Sequence, residues 1–185
     1  KWDGSNWSAL GSGVNSIVWS LAASGNDLYA GGQFWMAGGN SAFHIAKWDG
    51  NAWSALGAGF HNTIDALTVA GTNLYTEGYL VTTNVILNQT SQIARWDGSN
   101  WTSIGSATQN NVGGVNALAA WSSNLYAGGT FMTTGGIPAT RVAKWDGNSW
   151  SAMGSGINSS VEALAVAGND LYIGGSFITA GWSRA

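Results

Sequence analysis

The 185-residue chain holds 28 Gly, 12 Trp, one Pro and no Cys, with a formal charge of −3 and only 8% charged residues. Six scattered Lys and Arg cannot build the clustered basic face that nucleic acid requires, and no apolar run reaches the roughly 18 residues of a membrane helix. Without Cys there is no disulfide, thiolate metal site or cysteine nucleophile, while 45% hydrophobic residues broken by Gly read as packed β-structure rather than disorder.

The first element is a hairpin, Lys1-Trp2-Asp3-Gly4 leading to Trp7 and Leu10. Asp-Gly followed by Ser or Asn is hairpin chemistry, because Gly accepts positive φ and the Asp carboxylate accepts from N–H groups ahead of it. The same hairpin returns at Lys47-Trp48-Asp49-Gly50 with Trp53, at Arg95-Trp96-Asp97-Gly98 with Trp101, and at Lys144-Trp145-Asp146-Gly147 with Trp150. The spacing is about 46 to 49 residues, the period of a repeat architecture.

An apolar run follows the first hairpin, residues 18–23, and lines up with 64–69, 115–120 and 161–166. One face of that run is small: Ser20 and Ala22, Ala66 and Thr68, Ala117 and Ala119, Ala163 and Ala165. The other carries Leu21, Leu67, Leu118 and Leu164. A small face suits an innermost strand, where neighbouring units converge. The paired Trp residues then fill the wider outer part. A polar turn (Gly168-Asn169-Asp170) and a second strand (residues 171–177) come next. A Gly-rich loop such as 134–138 precedes a third strand (141–146), and Trp150 to Met153 makes the fourth. The expectation is all-β: a β-propeller of four-stranded antiparallel blades, about four blade equivalents in one repeat domain over 1–185. Blade 1 spans 14–57, blade 2 spans 60–105, blade 3 spans 112–154, and blade 4 spans 157–180, completed by 1–11. A β-solenoid is the competing architecture, disfavoured because its coils lack such regular hairpin turns.

Leu171-Tyr172-Ile173-Gly174-Gly175, together with Val142-Ala143-Lys144-Trp145-Asp146 and Trp150, resembles the kelch repeat. In that family a Tyr-containing second strand ends in a double Gly, and an aromatic-Asp pair precedes a Trp on the fourth strand. The likeness runs through essentially the whole chain, with departures. Trp stands where kelch repeats carry Tyr on the third strand, and the second unit reads Glu77-Gly78 before a divergent loop, 81–92. The resemblance implies a non-enzymatic module, extracellular or at the cell surface, like repeats of bacterial secreted proteins and fungal cortical-marker ectodomains. Upstream sequence is expected to have been removed or left out, since the chain opens at Lys1. Three closures fit the complementary ends: a four-bladed ring, two chains sharing an eight-bladed ring, or a segment of a longer array.

Residues that break the repeat are not required by blade packing, so they carry the functional expectation. Trp19 occupies the slot of Asp65, Asn116 and Glu162, while Trp35, His44 and Trp182 fall in the loops after the double Gly, and Trp121 directly follows the 115–120 run. Exposed Trp with Asn, Gln and Ser around it suits glycan or protein contact. The repeated Asp of each Trp-Asp-Gly reads as a turn-former, because calcium needs 6–8 oxygens and no second carboxylate stands nearby. Asp65 and Glu162 could act as a carboxylate pair in glycoside hydrolysis, but no positioning group accompanies them. His44 and His61 are isolated, and no metal or other cofactor is implied. The expected partners are a protein or a glycan, with self-association between complementary ends as a further reading. No catalytic residue is assigned.

Overall fold

The computed structural model describes residues 1–81, 91–106 and 114–181, and the backbone of 183–184. Trp182 and nearly all of the divergent loop after Glu77-Gly78 lie outside the described residues. The described chain is all-β and antiparallel, with no helix.

In the first unit β1 (Val18–Ser24) and β2 (Asp27–Gly32) form a hairpin. A two-stranded ribbon follows, β3 (Met36–Ala37) with β4 (Asn40–Ser41), then β5 (Ile45–Trp48) and β6 (Trp53–Ala55). The main sheet is ordered β1-β2-β5-β6. The second unit repeats that order with β7 (Leu67–Ala70), β8 (Asn73–Gly78), β9 (Gln92–Trp96) and β10 (Trp101–Ser106). The third has β11 (Val115–Trp121), β12 (Asn124–Gly129), the ribbon β13 (Thr133–Thr134) with β14 (Ile137–Pro138), then β15 (Val142–Trp145) and β16 (Trp150–Ala152). Its sheet is β11-β12-β15-β16. The fourth has β17 (Val161–Ala167) and β18 (Asp170–Gly175), paired only with each other, and a ribbon of β19 (Thr179–Ala180) and β20 (Ser183–Arg184). The loops read as Gly-rich thus hold small ribbons. Gly38 and Gly39 turn the first of them at φ of 61° and 84°, values open to glycine and strained for other residues.

Units pack front to back in chain order: β1 against β7, β7 against β11, β11 against β17. The small face of each first strand, with the Tyr of the second, meets the Leu face of the next unit. Ala66 and Tyr75 pack on Val115 and Leu118, and Ala22 and Tyr29 pack on Ile64 and Leu67. Each fully buried Val, Leu or Ile contributes roughly 1.5–3 kcal/mol. The first Gly of the doublet serves this contact, since a Cβ on Gly31 would sit 2.5 Å from Ile64. The second allows close approach within its own unit, where a Cβ on Gly32 would sit 2.1 Å from the Ile17 carbonyl oxygen.

The outer hairpins lock the units together. Trp48 and Trp53 stand with centroids 5.6 Å apart, and Trp145 and Trp150 do the same. The fourth-strand indole donates to a carbonyl of the preceding unit each time: Trp53 to Leu10 at 2.8 Å, Trp101 to Leu56 at 2.9 Å, and Trp150 to Ile104 at 2.7 Å. A buried indole N–H needs such an acceptor, which makes this Trp a directional fastener as well as a core residue.

Candidate functional site

Strand direction sorts the loops onto two ends of each sheet. At one end lie the hairpin turns between first and second strands and the Asp-Gly turns. There Asp49 Oδ1 accepts from the N–H groups of Asn51 and Ala52 at 2.8 Å each, and Asp97 and Asp146 repeat this on their own turns. Those bonds stabilise the ionised form and hold each of these carboxyls below its usual range. The four Asp are therefore engaged as turn-formers, Asp3 included.

At the other end the first strands begin, and there Trp19, Asp65, Asn116 and Glu162 gather. Val18 pairs with Gly32 and Ser20 with Gly31, leaving Trp19 as the extra residue of a β-bulge. Asn116 is the bulged residue between Val115 and Ala117, and Glu162 the one between Val161 and Ala163. Asp65 precedes β7 at the same slot. A bulge re-aims its extra side chain out of the ladder, so this slot is free of the alternation that commits its neighbours to the core. Trp19, Asp65 and Glu162 are exposed.

Asn116 ties two units together. Its Nδ2 donates to the Val161 carbonyl at 3.0 Å and to Glu162 Oε2 at 3.1 Å, and Glu162 Oε1 accepts from the Ser160 hydroxyl. No hydrogen bond or ion pair joins Asp65 to Glu162 among the described residues. Asp65 instead acts on Glu77, which occupies the first position of the double Gly in the second unit. Burial pushes the Glu77 carboxyl up to about 7, a hydrogen bond from the Ser91 hydroxyl pulls it back, and the Asp65 charge raises it further. Partial burial raises Asp65 as well.

The Trp35 side chain is exposed on the ribbon loop. Its main-chain N–H, like that of Met36, donates to Asn15 Oδ1 at 3.0 Å, so the ribbon is clamped to the connector beneath it. His44 is half-buried with φ of 66°, and its Nδ1 lies 3.1 Å from the Gly32 carbonyl. Between these loops and the second unit lies an open groove of about 390 Å³, walled by Phe43, Phe60, Ala58 and Val81 with Ser41 and His61 at its polar points. The main-chain bond from Phe60 N–H to the Phe43 carbonyl, 3.1 Å, brings its two aromatic walls together. Trp121 lies elsewhere. It ends β11 opposite Asn124, at the other end of the sheet from Asn116.

The groove residue that composition and motif reading left isolated is His61. It occupies the place held by Asn15 and Asn158, whose N–H groups donate to the same ribbon position that receives the N–H of His61. A slot-by-slot comparison would have exposed this substitution of His for Asn. Among the described residues no group of three His, Cys, Asp or Glu is disposed to hold a metal ion.

No protein-family model matches the chain, and no curated protein matches it. Among solved structures it is similar to the computationally designed Ika4 protein, with a TM-score of 0.58 and 17% identity over 91% of this chain and 92% of that one. A crystal structure of the computationally designed Ika8 protein matches at a TM-score of 0.49 and 15% identity, over 89% of this chain and 57% of that one. At 17% identity the likeness to Ika4 speaks to the fold alone.

Proposed function

We propose that the chain is a kelch-like β-propeller module without catalytic activity. It serves an extracellular or cell-surface protein and contacts a glycan or protein partner through the end where its first strands begin. One observation carries this reading. The slot in which the repeat tolerates Trp19, Asp65, Asn116 and Glu162 is a β-bulge or its equivalent, at the same end as the Phe43–Phe60 groove. An exposed indole gives a sugar ring or an apolar side chain a flat stacking face, and a carboxylate with an amide supplies directional hydrogen bonds beside it. Front-to-back packing of four-stranded units, with small residues on the first strands and Trp pairs outside, supports the propeller reading.

A glycan array and a pull-down with the whole chain test the proposal. Binding that falls about tenfold or more in Trp19→Ala and in Glu162→Gln, with unchanged circular dichroism, is the expected result. Binding indifferent to both substitutions removes the assignment. Turnover of a polysaccharide that Glu162→Gln abolishes would replace it with a glycan-active enzyme.

A further inference from the structure

Three times in this molecule the front of one unit meets the back of the next, and the residues that make the joint recur. On the back stand a β-branched residue and a Leu of the first strand: Ile64 and Leu67, Val115 and Leu118, Val161 and Leu164. In the second and third units the Trp pair and its indole N–H come with them. On the front lie the first Gly of the doublet in the first and third units, the second-strand Tyr, and the carbonyl and Gly at or just past the end of the fourth strand. Gly11, Gly57 and Gly105 each approach the Trp residues of the next unit, to between 2.7 and 3.3 Å of a Cβ built on them.

The chain carries one more back and one more front, and among the described residues neither is covered. The back is that of the first unit with the hairpin 1–8. Leu21 is 59% exposed where Leu118 is 8%, and Trp7 is 79% exposed where Trp150 is 8%. The front is that of the fourth unit, where Tyr172 is 58% exposed and Tyr126 only 5%. A Cβ on Gly174 would meet only Ala163 of its own unit, whereas the same atom on Gly128 would strike Val161 of the next unit at 2.4 Å. Gly154 has nothing within 4 Å, although its counterparts touch indoles.

The main chain is complementary as well. The second strand pairs with the third in constant register: Leu28 with Trp48, Leu74 with Trp96, Leu125 with Trp145, and Tyr one residue later with Lys or Arg. In that register Leu171 faces Trp2 and Tyr172 faces Lys1. Among the described residues β18 has no partner on that edge, and Trp2 and Trp7 bridge only to each other.

We infer that a second copy of this chain supplies the missing half of each surface. The hairpin 1–8 and the Val18–Leu21 face of one copy dock on the β18 edge of the other, Trp2 opposite Leu171. The Trp7 indole then donates to the Met153 carbonyl, the acceptor equivalent to Leu10, Leu56 and Ile104. The occupant is another copy rather than the chain's own hairpin, because β1 and β17 stand at opposite ends of the packed series and share no contact of comparable extent. A net charge of −3 gives identical chains little repulsion to overcome. The joint is head-to-tail, so both ends are used when two copies close on each other, and the association repeats if they do not. Each joint also sets Glu162 of one copy beside Trp19 of the next, completing the row of bulge residues across the seam.

The lack of Cys allows a direct test. Facing residues of an antiparallel pair hold their Cα atoms about 4.5–5.5 Å apart, within disulfide reach. The double variant Lys1→Cys, Tyr172→Cys, oxidised under dilute conditions, is expected to give covalent species at whole multiples of the 19.1 kDa chain mass on a non-reducing gel. A product that stays at the single-chain mass, whether cross-linked within itself or not at all, overturns the inference. Sedimentation of the unaltered chain should show association that weakens about tenfold or more in Gly174→Val and, independently, in Trp7→Ala. The added Val fills the space that Val18 would enter, and Trp7 is too exposed to matter to the fold of one chain. A strict monomer at every concentration, or both variants associating as tightly as the parent, would sink it. Neither readout depends on a ligand, so glycan or protein binding can fail while this joint stands.

Discussion

The β11–β12 and β17–β18 hairpins are built from nearly the same residues, yet the small face of one is buried and that of the other is exposed. Val115-x-Ala-Leu-Ala in β11 and Val161-x-Ala-Leu-Ala in β17 differ little, but Ala117 and Ala119 are buried while Ala163 and Ala165 are exposed. What separates them is the neighbour in front. The third unit has the fourth against its small face, and the fourth has nothing there among the described residues. Burial in a repeat array therefore belongs to the joint between units, which is why such molecules approximate a sum of unit and interface terms.

Deleting the same side chain on the two sides of that divide should break the comparison most visibly. Trp150→Ala removes a buried indole and its bond to Ile104, and should lower unfolding free energy by about 3–5 kcal/mol in urea titration. Trp7→Ala, measured at concentrations too low for association, should cost less than about 1 kcal/mol. Equal losses would mean the ends are covered within one chain. Next in size, Leu118→Ala should cost about 2–5 kcal/mol and Leu21→Ala well under that, by the same measurement.

The pH profile sharpens the contrast between the second unit and the others. Glu77, where the first and third units carry Gly, is raised by burial to about 7. The folded state thus holds its proton where the unfolded chain has lost it. Stability should fall as pH rises from the ordinary Glu range toward 7, by as much as roughly 3 kcal/mol. Glu77→Gln should flatten that slope and raise stability at pH 8, as thermal melts across pH 4–8 would show. An unchanged slope would place the titration elsewhere. The smallest expected effect is at the turns. Asp146→Ala removes a carboxylate held ionised by the Ser149 and Asn148 N–H groups. A lowered carboxyl stabilises the fold above its unfolded value and ceases to do so as pH falls through the folded one. The variant should therefore lose a little stability at pH 7 and resist acid slightly better in relative terms.

Much of this architecture was legible from spacing. The Trp-Asp-Gly hairpins, the alternation of Leu and Ala, and the double Gly each recur because each satisfies a local rule of turn, pleat or close approach. The bulge was not legible, since one extra residue in a ladder leaves no mark on composition. Nor was the buried Glu77, whose carboxyl a sequence reading places in solvent by default. Trp19 and Trp121 both break the repeat, and their places near the start of the 18–23 run and just past the end of the 115–120 run already set them at opposite ends.

The amino-acid order by itself determined the repeat, the strands within each unit and the turns between them, because those depend on contacts a few residues apart. Which chemically equal faces are buried was decided only by tertiary structure. A face becomes core when another surface removes its water, and that surface comes from the next unit, some fifty residues away, or from another chain.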